Sequence, residues 1–93
     1  MSDLKQLNIR VFGLVQGVWF RKFAKEMAEE IGIFGLVMNE PDGTVFIVAQ
    51  GKTEQLEKFI NFCKKGPRSA KIKNVHIEEE DVANFSSFQI IRD

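Results

Sequence analysis

Apolar residues recur along the chain with two different periods, which separate its predicted strands from its predicted helices. Leu7, Ile9 and Val11 alternate with polar or aromatic neighbours, and this period of two predicts a strand with one apolar face. Across residues 20–31 the apolar positions fall three and four apart, which is typical of one face of an α-helix. Gly32 stands where a residue in the left-handed conformation is expected to end that helix.

Two further strands are predicted next, over residues 33–38 and 45–50. They are separated by the turn sequence at residues 41–43, in which Pro presets φ and Gly supplies a positive φ, so the two strands should form a hairpin. The later strand is rich in β-branched residues on both faces, which indicates a central place in the sheet. Gly51 is expected to end this strand.

A second helix is predicted with Thr53 as its N-cap and Gly66 at its end, and its apolar face consists of Leu56, Phe59, Ile60 and Cys63. A fourth strand follows over residues 71–79. Its alternation breaks after Ile72, which predicts a bulge or a late start. Phe88 and Ile90 mark a short final strand.

The order of these elements predicts an α+β fold of the ferredoxin-like α/β sandwich type. It reads β-α-β-β-α-β with one extra C-terminal strand, so two helices should cover one face of an antiparallel sheet of four to five strands. The 93 residues suffice for one compact domain, which we place at residues 1–93.

Charge and cysteine content exclude several classes of protein. The 13 basic and 13 acidic side chains cancel, whereas nucleic-acid-binding proteins usually carry a basic excess. A single Cys excludes an internal disulfide and a multi-cysteine zinc site. No apolar run approaches the ~18 residues that a membrane span needs, and residues 1–5 lack the apolar segment of a signal peptide. We therefore expect a cytoplasmic protein without membrane or nucleic-acid partners.

The loop at residues 13–21, between the first strand and the first helix, has the features of an anion site. Backbone N–H groups of a glycine-bearing loop and the positive end of a helix dipole converge there. Arg21 lies in the first helical turn, where the dipole disfavours a lone cation, so a bound anion would account for it. The alternatives are a surface arginine and an ordinary turn glycine at Gly17.

Asn39 is the second candidate, because it ends the second predicted strand. In a split βαβ fold the first two strands run parallel, so Asn39 should reach the same sheet edge as the 15–21 loop. Its amide could hold a water against a bound phosphoryl group, and the alternative is a turn asparagine. His76, Cys63 and the acidic run at 78–81 are interpreted as structural or solvated. The chain contains no HExxH, Gly-x-Ser-x-Gly or Walker lysine motif.

Several segments in register resemble the acylphosphatase family. The first is Gly13-x-Val15-Gln16-Gly17-Val18-x-Phe20-Arg21, and it is followed by Gly32-Ile33-x-Gly35-x-Val37-x-Asn39, Asp42-Gly43-x-Val45, Gly66-Pro67-x-x-Ala70 and Phe88-x-Ile90. They keep their order and spacing over about the whole chain. The resemblance implies the same sandwich fold and an enzyme that hydrolyses the carboxyl–phosphate anhydride of acyl phosphates.

The resemblance also implies residue roles. Asn39 orients the attacking water, and the phosphate is bound by the Arg21 side chain and the loop backbone at Val15, Gln16, Gly17, Val18, Trp19 and Phe20. No cofactor, metal or covalent enzyme intermediate is implied, and the only partner is a small acyl phosphate. We expect a substrate phosphate oxygen to take the proton from water. The chain departs from the family at Leu36 and Met38, where Trp and Arg are frequent, and we expect these changes to alter packing and charge beside Asn39.

Three alternatives remain at this stage. A non-catalytic anion- or ligand-binding module could share the fold. An RNA-binding domain would need exposed aromatics on the central strands and a basic face, and the charge balance argues against it. The chain could also be a domain cut from a larger hydrogenase-maturation protein, but the Met1 start and the lack of zinc-finger cysteines favour a stand-alone protein. Polar helix faces favour a monomer.

Overall fold

The computed structural model describes residues 3–92, which form seven elements in a single sheet-and-helix arrangement. In chain order these are β1 (Leu4–Leu14), α1 (Phe20–Ile31), β2 (Phe34–Asn39), β3 (Val45–Lys52), α2 (Thr53–Lys65), β4 (Lys71–Glu80) and β5 (Phe88–Ile91). The five strands form one sheet in the order β4-β1-β3-β2-β5. The predicted ferredoxin-like α+β fold is confirmed, with β3 in the centre of the sheet and a β2–β3 hairpin.

The prediction of a fully antiparallel sheet is wrong at one edge. β1 pairs antiparallel with β3 and β4, and β2 pairs antiparallel with β3, but β5 runs parallel to β2, so the sheet is mixed. The connection before β5 returns the chain to the opposite edge of the sheet. Ala83 of this connection is held against the interior strands β1 and β3, because Ala83 N donates to Gln6 Oε1 at 2.8 Å and Gln50 Nε2 donates to Ala83 O at 2.6 Å.

Both helices pack on the same face of the sheet. The buried core joins strand residues such as Ile9, Val37 and Ile47 to Phe20 of α1 and Phe59 of α2. These strand positions alternate with residues of the open face, as the pleat of a strand requires. Burial of this apolar surface is the main contribution to the stability of the fold.

Local details confirm some sequence predictions and correct others. Gly32 ends α1 in the left-handed region at φ 100°, and the β1–β4 register shifts after Phe12, which is the predicted bulge. Thr53 does not cap α2: the N-cap is Lys52, whose N–H donates to Gln55 Oε1 at 2.9 Å. β3 continues through Gly51 to Lys52, because both residues still pair with β1.

No helix within residues 3–92 is long and apolar enough to cross a membrane. The two helices instead bury one stripe each against the sheet and expose polar residues on the other side.

Candidate active site

A five-residue loop joins β1 to α1, and both of its ends are anchored in the core. Val15 and the first helical residue Phe20 are each only 1% exposed. Between them Gly17 adopts φ 75° and Trp19 adopts φ 64°, the one positive φ of a non-glycine residue among residues 3–92. The side chain of Trp19 is 77% exposed, so burial of the indole does not explain this backbone conformation. The loop geometry itself therefore requires the left-handed turn into the helix.

Gln16 fastens this loop to the β2–β3 hairpin. Its side-chain Nε2 donates to the carbonyl oxygen of Glu40 at 2.8 Å and to that of Thr44 at 2.9 Å. Glu40 directly follows Asn39, so one side chain of the loop sets the distance between the loop and the end of β2. The sequence predicts a role only for the backbone of Gln16, and nothing in the local sequence marks these two bonds of its side chain.

The hairpin turn beyond Asn39 is fixed by its own polar contacts. The Oδ1 atom of Asp42 accepts hydrogen bonds from the Thr44 backbone N–H at 3.0 Å and from the Thr44 hydroxyl at 2.6 Å. These bonds, and to a lesser degree the nearby charge of Arg10, hold the pKa of the Asp42 carboxyl below its usual value. Arg10 also donates to Thr44 Oγ1 at 2.9 Å. These hydrogen bonds fix the turn that follows the end of β2.

The loop and the end of β2 enclose a pocket of about 280 Å³. Arg21 and Asn39, which are far apart in sequence, both line it. The remaining lining residues are Val15, Gly17, Trp19, Phe20, Lys22, Ile90 and Arg92. Two residues of the predicted phosphate loop, Gln16 and Val18, do not line the pocket. Lys22, Ile90 and Arg92 were not predicted, because nothing in their local sequence marks them and only the folded sheet brings β5 to this loop.

Asn39 carries a buried polar atom without a partner. Its Oδ1 is inaccessible to solvent and accepts no hydrogen bond from any residue within 3–92. An unsatisfied buried acceptor costs about 1–3 kcal/mol, so such atoms persist where they have another use. The Asn39 amide, which lines the pocket, therefore has an unused acceptor that a rotation of the side chain would turn towards a ligand.

The charges that line the pocket within residues 3–92 are all positive. Arg21, Lys22 and Arg92 are the ionisable lining residues of this range, and no carboxylate is among them. Within residues 3–92 the ion pairs are Arg10–Asp42, Lys25–Glu29 and His76–Glu78, so the three pocket cations have no acidic partner there. The pocket is therefore suited to a ligand of high negative charge.

The two departures from the family pattern lie on the other side of the sheet. Val37 is in the helix-covered core, and Leu36 and Met38 alternate with it, so they belong to the open face. In the β2–β3 register they pair with Val48 and Phe46, and neither lines the pocket. The expectation that they change the packing and charge beside Asn39 is therefore not supported by their position.

The residues that were interpreted as structural lie outside the pocket. Cys63 is buried on α2, and this burial raises the pKa of its thiol to about 12. His76 is exposed and lies 3.6 Å from Glu78. Among residues 3–92 no group of three His, Cys, Asp or Glu side chains is arranged to hold a metal ion.

The sequence and the structure are both similar to those of acylphosphatases. The sequence model of the acylphosphatase family matches residues 7–90. An acylphosphatase of Thermotoga petrophila is 45% identical over 87 residues, which cover 94% of this chain and 97% of that protein. An acylphosphatase structure from Coxiella burnetii superposes with a TM-score of 0.92 at 32% identity, covering 96% and 94% of the two chains. An acylphosphatase structure from Bacillus subtilis gives the same TM-score and identity, with 95% and 99% coverage.

Proposed function

The chain belongs to the acylphosphatase family and hydrolyses acyl phosphates, and on this premise we propose how its pocket divides the reaction between two residues. Arg21 and the 15–21 loop bind the phosphoryl group, and Asn39 orients the attacking water. The observation that carries the proposal is that Arg21 and Asn39 line one pocket although 17 residues lie between them in the chain. The non-catalytic alternative of the same fold is not favoured.

Phosphate binding follows from the start of α1. The first N–H groups of a helix have no intrahelical partner and point at an anion placed before them, and the helix dipole favours negative charge there. Gly17 exposes the loop backbone, since a Cβ at this position would meet nothing within 4 Å. The planar guanidinium of Arg21 adds two parallel donors that match two phosphate oxygens.

Water activation relies on position rather than on a strong base. A rotation of the Asn39 side chain brings its buried, unpartnered Oδ1 into the pocket, where it accepts a hydrogen bond from water and turns a lone pair of the water oxygen towards the phosphorus. As the new P–O bond forms, the bond between phosphorus and the carboxylate oxygen breaks, and the carboxylate leaves with that electron pair. A non-bridging phosphate oxygen takes the water proton. Arg21 and the loop N–H groups stabilise the charge that develops on the phosphoryl oxygens.

Hydrolysis of benzoyl phosphate tests this assignment when a chelator is present and benzoate and phosphate are both measured. Arg21→Ala and Asn39→Ala should each lower kcat/KM by at least ~10²-fold, the scale of lost positioning and charge stabilisation. Lys5→Ala is the matched control, because Lys5 is an exposed cation at the opposite end of β1, where it pairs with Gly51. Turnover in Arg21→Ala or Asn39→Ala at the Lys5→Ala level would refute the assignment.

We also propose that the protein works as a single domain over residues 1–93, as a cytoplasmic monomer, without nucleic-acid or membrane partners. The family match over residues 7–90 and the single sheet support the domain assignment. The balanced charge, the single cysteine and the polar outer faces of the helices support the cytoplasmic location, the monomeric state and the lack of nucleic-acid or membrane partners. Light scattering at micromolar protein concentration tests the monomer, which should have the 10.7 kDa mass of one chain.

A further inference from the structure

Two cations in the pocket have no part in the proposed chemistry. Lys22 is the third residue of α1, one position beyond Arg21, and Arg92 directly follows β5 on another wall of the same pocket. Within residues 3–92, neither side chain forms a hydrogen bond or an ion pair with another residue. The strand that precedes Arg92 is held against α1, because Lys25 Nζ donates to the Phe88 carbonyl at 2.7 Å.

A bound phosphoryl group does not neutralise all the cations of the pocket. A phosphate monoester or acyl phosphate carries about two negative charges near neutral pH, and the loop N–H groups with Arg21 already serve its oxygens. Its two charges fall short of the three cationic side chains among the described lining residues, which include no carboxylate. Like charges placed close together repel, and an additional anion between them removes that cost.

The rest of the molecule is polarised in the same sense. β4 begins beside the site with Lys71 paired to Leu14, and it ends at the far side of the sheet with Glu80 paired to Gln6. Pro67, which follows α2, shares a surface pocket with Trp19 and Lys22, so the last turn of α2 lies at the site end. The basic side chains of that end are Lys64, Lys65, Arg68 and Lys71, beside the acidic Glu40 and Asp42 of the hairpin. The far end carries the acidic Glu54, Glu79, Glu80 and Asp81 beside the basic Lys5 and Lys52.

The zero net charge therefore hides an uneven distribution. A cleft lined by one sign of charge raises the local concentration of ligands of the opposite sign. The surrounding basic end favours any anionic substrate, whereas Lys22 and Arg92 are close enough to the phosphate site to distinguish one acyl group from another.

We propose that Lys22 and Arg92 determine substrate specificity by selecting acyl phosphates whose acyl part carries its own negative charge, such as a second carboxylate. This inference rests on the proposed phosphate site, because it assumes that Arg21 and the loop fix the phosphoryl end. The acyl part then extends from the phosphate towards Lys22 and β5. A neutral acyl group would leave the pocket with a net positive charge.

A matched pair of substrates isolates this effect. 4-Carboxybenzoyl phosphate and 4-carbamoylbenzoyl phosphate have nearly the same shape and differ by one negative charge. The readout is the ratio of their kcat/KM values, carboxy over carbamoyl, in the unmodified protein, Lys22→Gln, Arg92→Gln and the double variant. Each single substitution should lower this ratio by roughly three- to five-fold, the scale of one charge pair at about 4 Å in water. The double variant should lower it by about ten-fold or more.

Ionic strength and a remote control distinguish a local contact from the general field. Lys5→Gln removes one positive charge at the far end of β1 and should leave the ratio unchanged. Raising the salt concentration should lower the ratio of the unmodified protein towards that of the double variant, because exposed charge pairs are screened. A carboxy-to-carbamoyl ratio in the double variant equal to the ratio in Lys5→Gln would overturn the proposal.

The failure of this inference can be told apart from the failure of the phosphate site. If the ratio does not respond to Lys22 and Arg92 but Arg21→Ala abolishes turnover of both substrates, only the specificity proposal is wrong. If Arg21→Ala hydrolyses both substrates like the unmodified protein, the proposed phosphate site is wrong, and the specificity proposal falls with it.

Discussion

Gln16 donates from its side-chain Nε2 to the carbonyl oxygen of Glu40 at 2.8 Å, which links the loop before α1 to the residue that follows Asn39. The same nitrogen also donates to the Thr44 carbonyl at 2.9 Å, and that carbonyl in turn accepts the Glu40 N–H at 2.9 Å. This one amide therefore links the two halves of the proposed active site directly, in addition to the pairing of β1 and β2 with β3. Arg21 lies on one side of this link and Asn39 on the other.

Removing this amide should impair catalysis more than folding. Gln16→Ala removes two hydrogen bonds, while the Thr44 and Glu40 carbonyls keep the backbone N–H groups of Glu40 and Gly43 as donors, so it should lower the free energy of unfolding by about 1–2 kcal/mol. It should lower kcat/KM by ~10–100-fold, because misplacing a catalytic group by about 1 Å can have an effect of that size. Urea denaturation and benzoyl phosphate kinetics measure the two quantities. Gln16→Glu is the isosteric control, and it should be at least as damaging because a carboxylate repels both carbonyls.

At position 19, glycine should give a more stable protein than alanine. Its φ of 64° lies in the left-handed region, which costs a non-glycine residue roughly 1–2 kcal/mol. Trp19→Gly and Trp19→Ala both remove the indole, so their difference isolates the backbone. Trp19→Gly should exceed Trp19→Ala by about 1 kcal/mol in the free energy of unfolding, measured with urea. An alanine variant as stable as the glycine variant would contradict the assigned loop conformation.

Gly35 should tolerate no side chain. At φ 140° a Cβ would collide with the carbonyl oxygen of Val48 on the neighbouring strand. Gly35→Ala should lower the free energy of unfolding by about 3 kcal/mol or more, from backbone strain and overpacking together. Gly43→Ala is the matched control, because φ is 92° there but a Cβ meets nothing within 4 Å. Gly43→Ala should lower the free energy of unfolding by only about 1–2 kcal/mol. Equal decreases in Gly35→Ala and Gly43→Ala would contradict the tight β2–β3 packing.

Asp42 should make the hairpin turn sensitive to acid. Hydrogen bonds from Thr44 lower the pKa of this carboxyl in the folded state, so the unfolded chain binds its proton more readily. The stabilisation is therefore present above the unfolded pKa and is lost as the pH falls through the folded pKa. Asp42→Asn should be less stable than the unmodified protein at pH 7, and this difference should shrink between about pH 5 and pH 2. A difference that is constant with pH would contradict the assigned carboxylate bonds.

Much of the fold could be read from local patterns, because each pattern reports the face that an element buries. The apolar spacing across α1 and the Pro-Asp-Gly turn at 41–43 gave the correct elements. The direction of β5 could not be read in the same way, since Phe88 and Ile90 report burial and not orientation. The parallel pairing depends on how residues 81–87 cross the sheet, and this crossing depends on hydrogen bonds of Ala83 with Gln6 and Gln50.

The candidate site could be predicted where a residue type is unusual at its place in the predicted helices and strands. Arg21 was marked by its place at a helix start, and Asn39 by its place at the end of a strand that runs parallel to β1. The αL conformation of Trp19 gave no such signal, because glycine and asparagine are the residues that usually adopt it. The side-chain bonds of Gln16 and the approach of Arg92 depend on tertiary contacts, which local sequence does not encode.

The central claim is that Arg21 binds the phosphoryl group and Asn39 acts on the water, and competitive inhibition by inorganic phosphate separates the two roles. Arg21→Lys keeps the charge but loses the two-point fork, so the inhibition constant should rise by about ten-fold or more and kcat/KM should fall. Asn39→Ala should leave the inhibition constant within about two-fold while kcat falls by ~10²-fold. The reverse pattern, in which Asn39→Ala loses phosphate affinity and Arg21→Lys retains it, would contradict this division of roles.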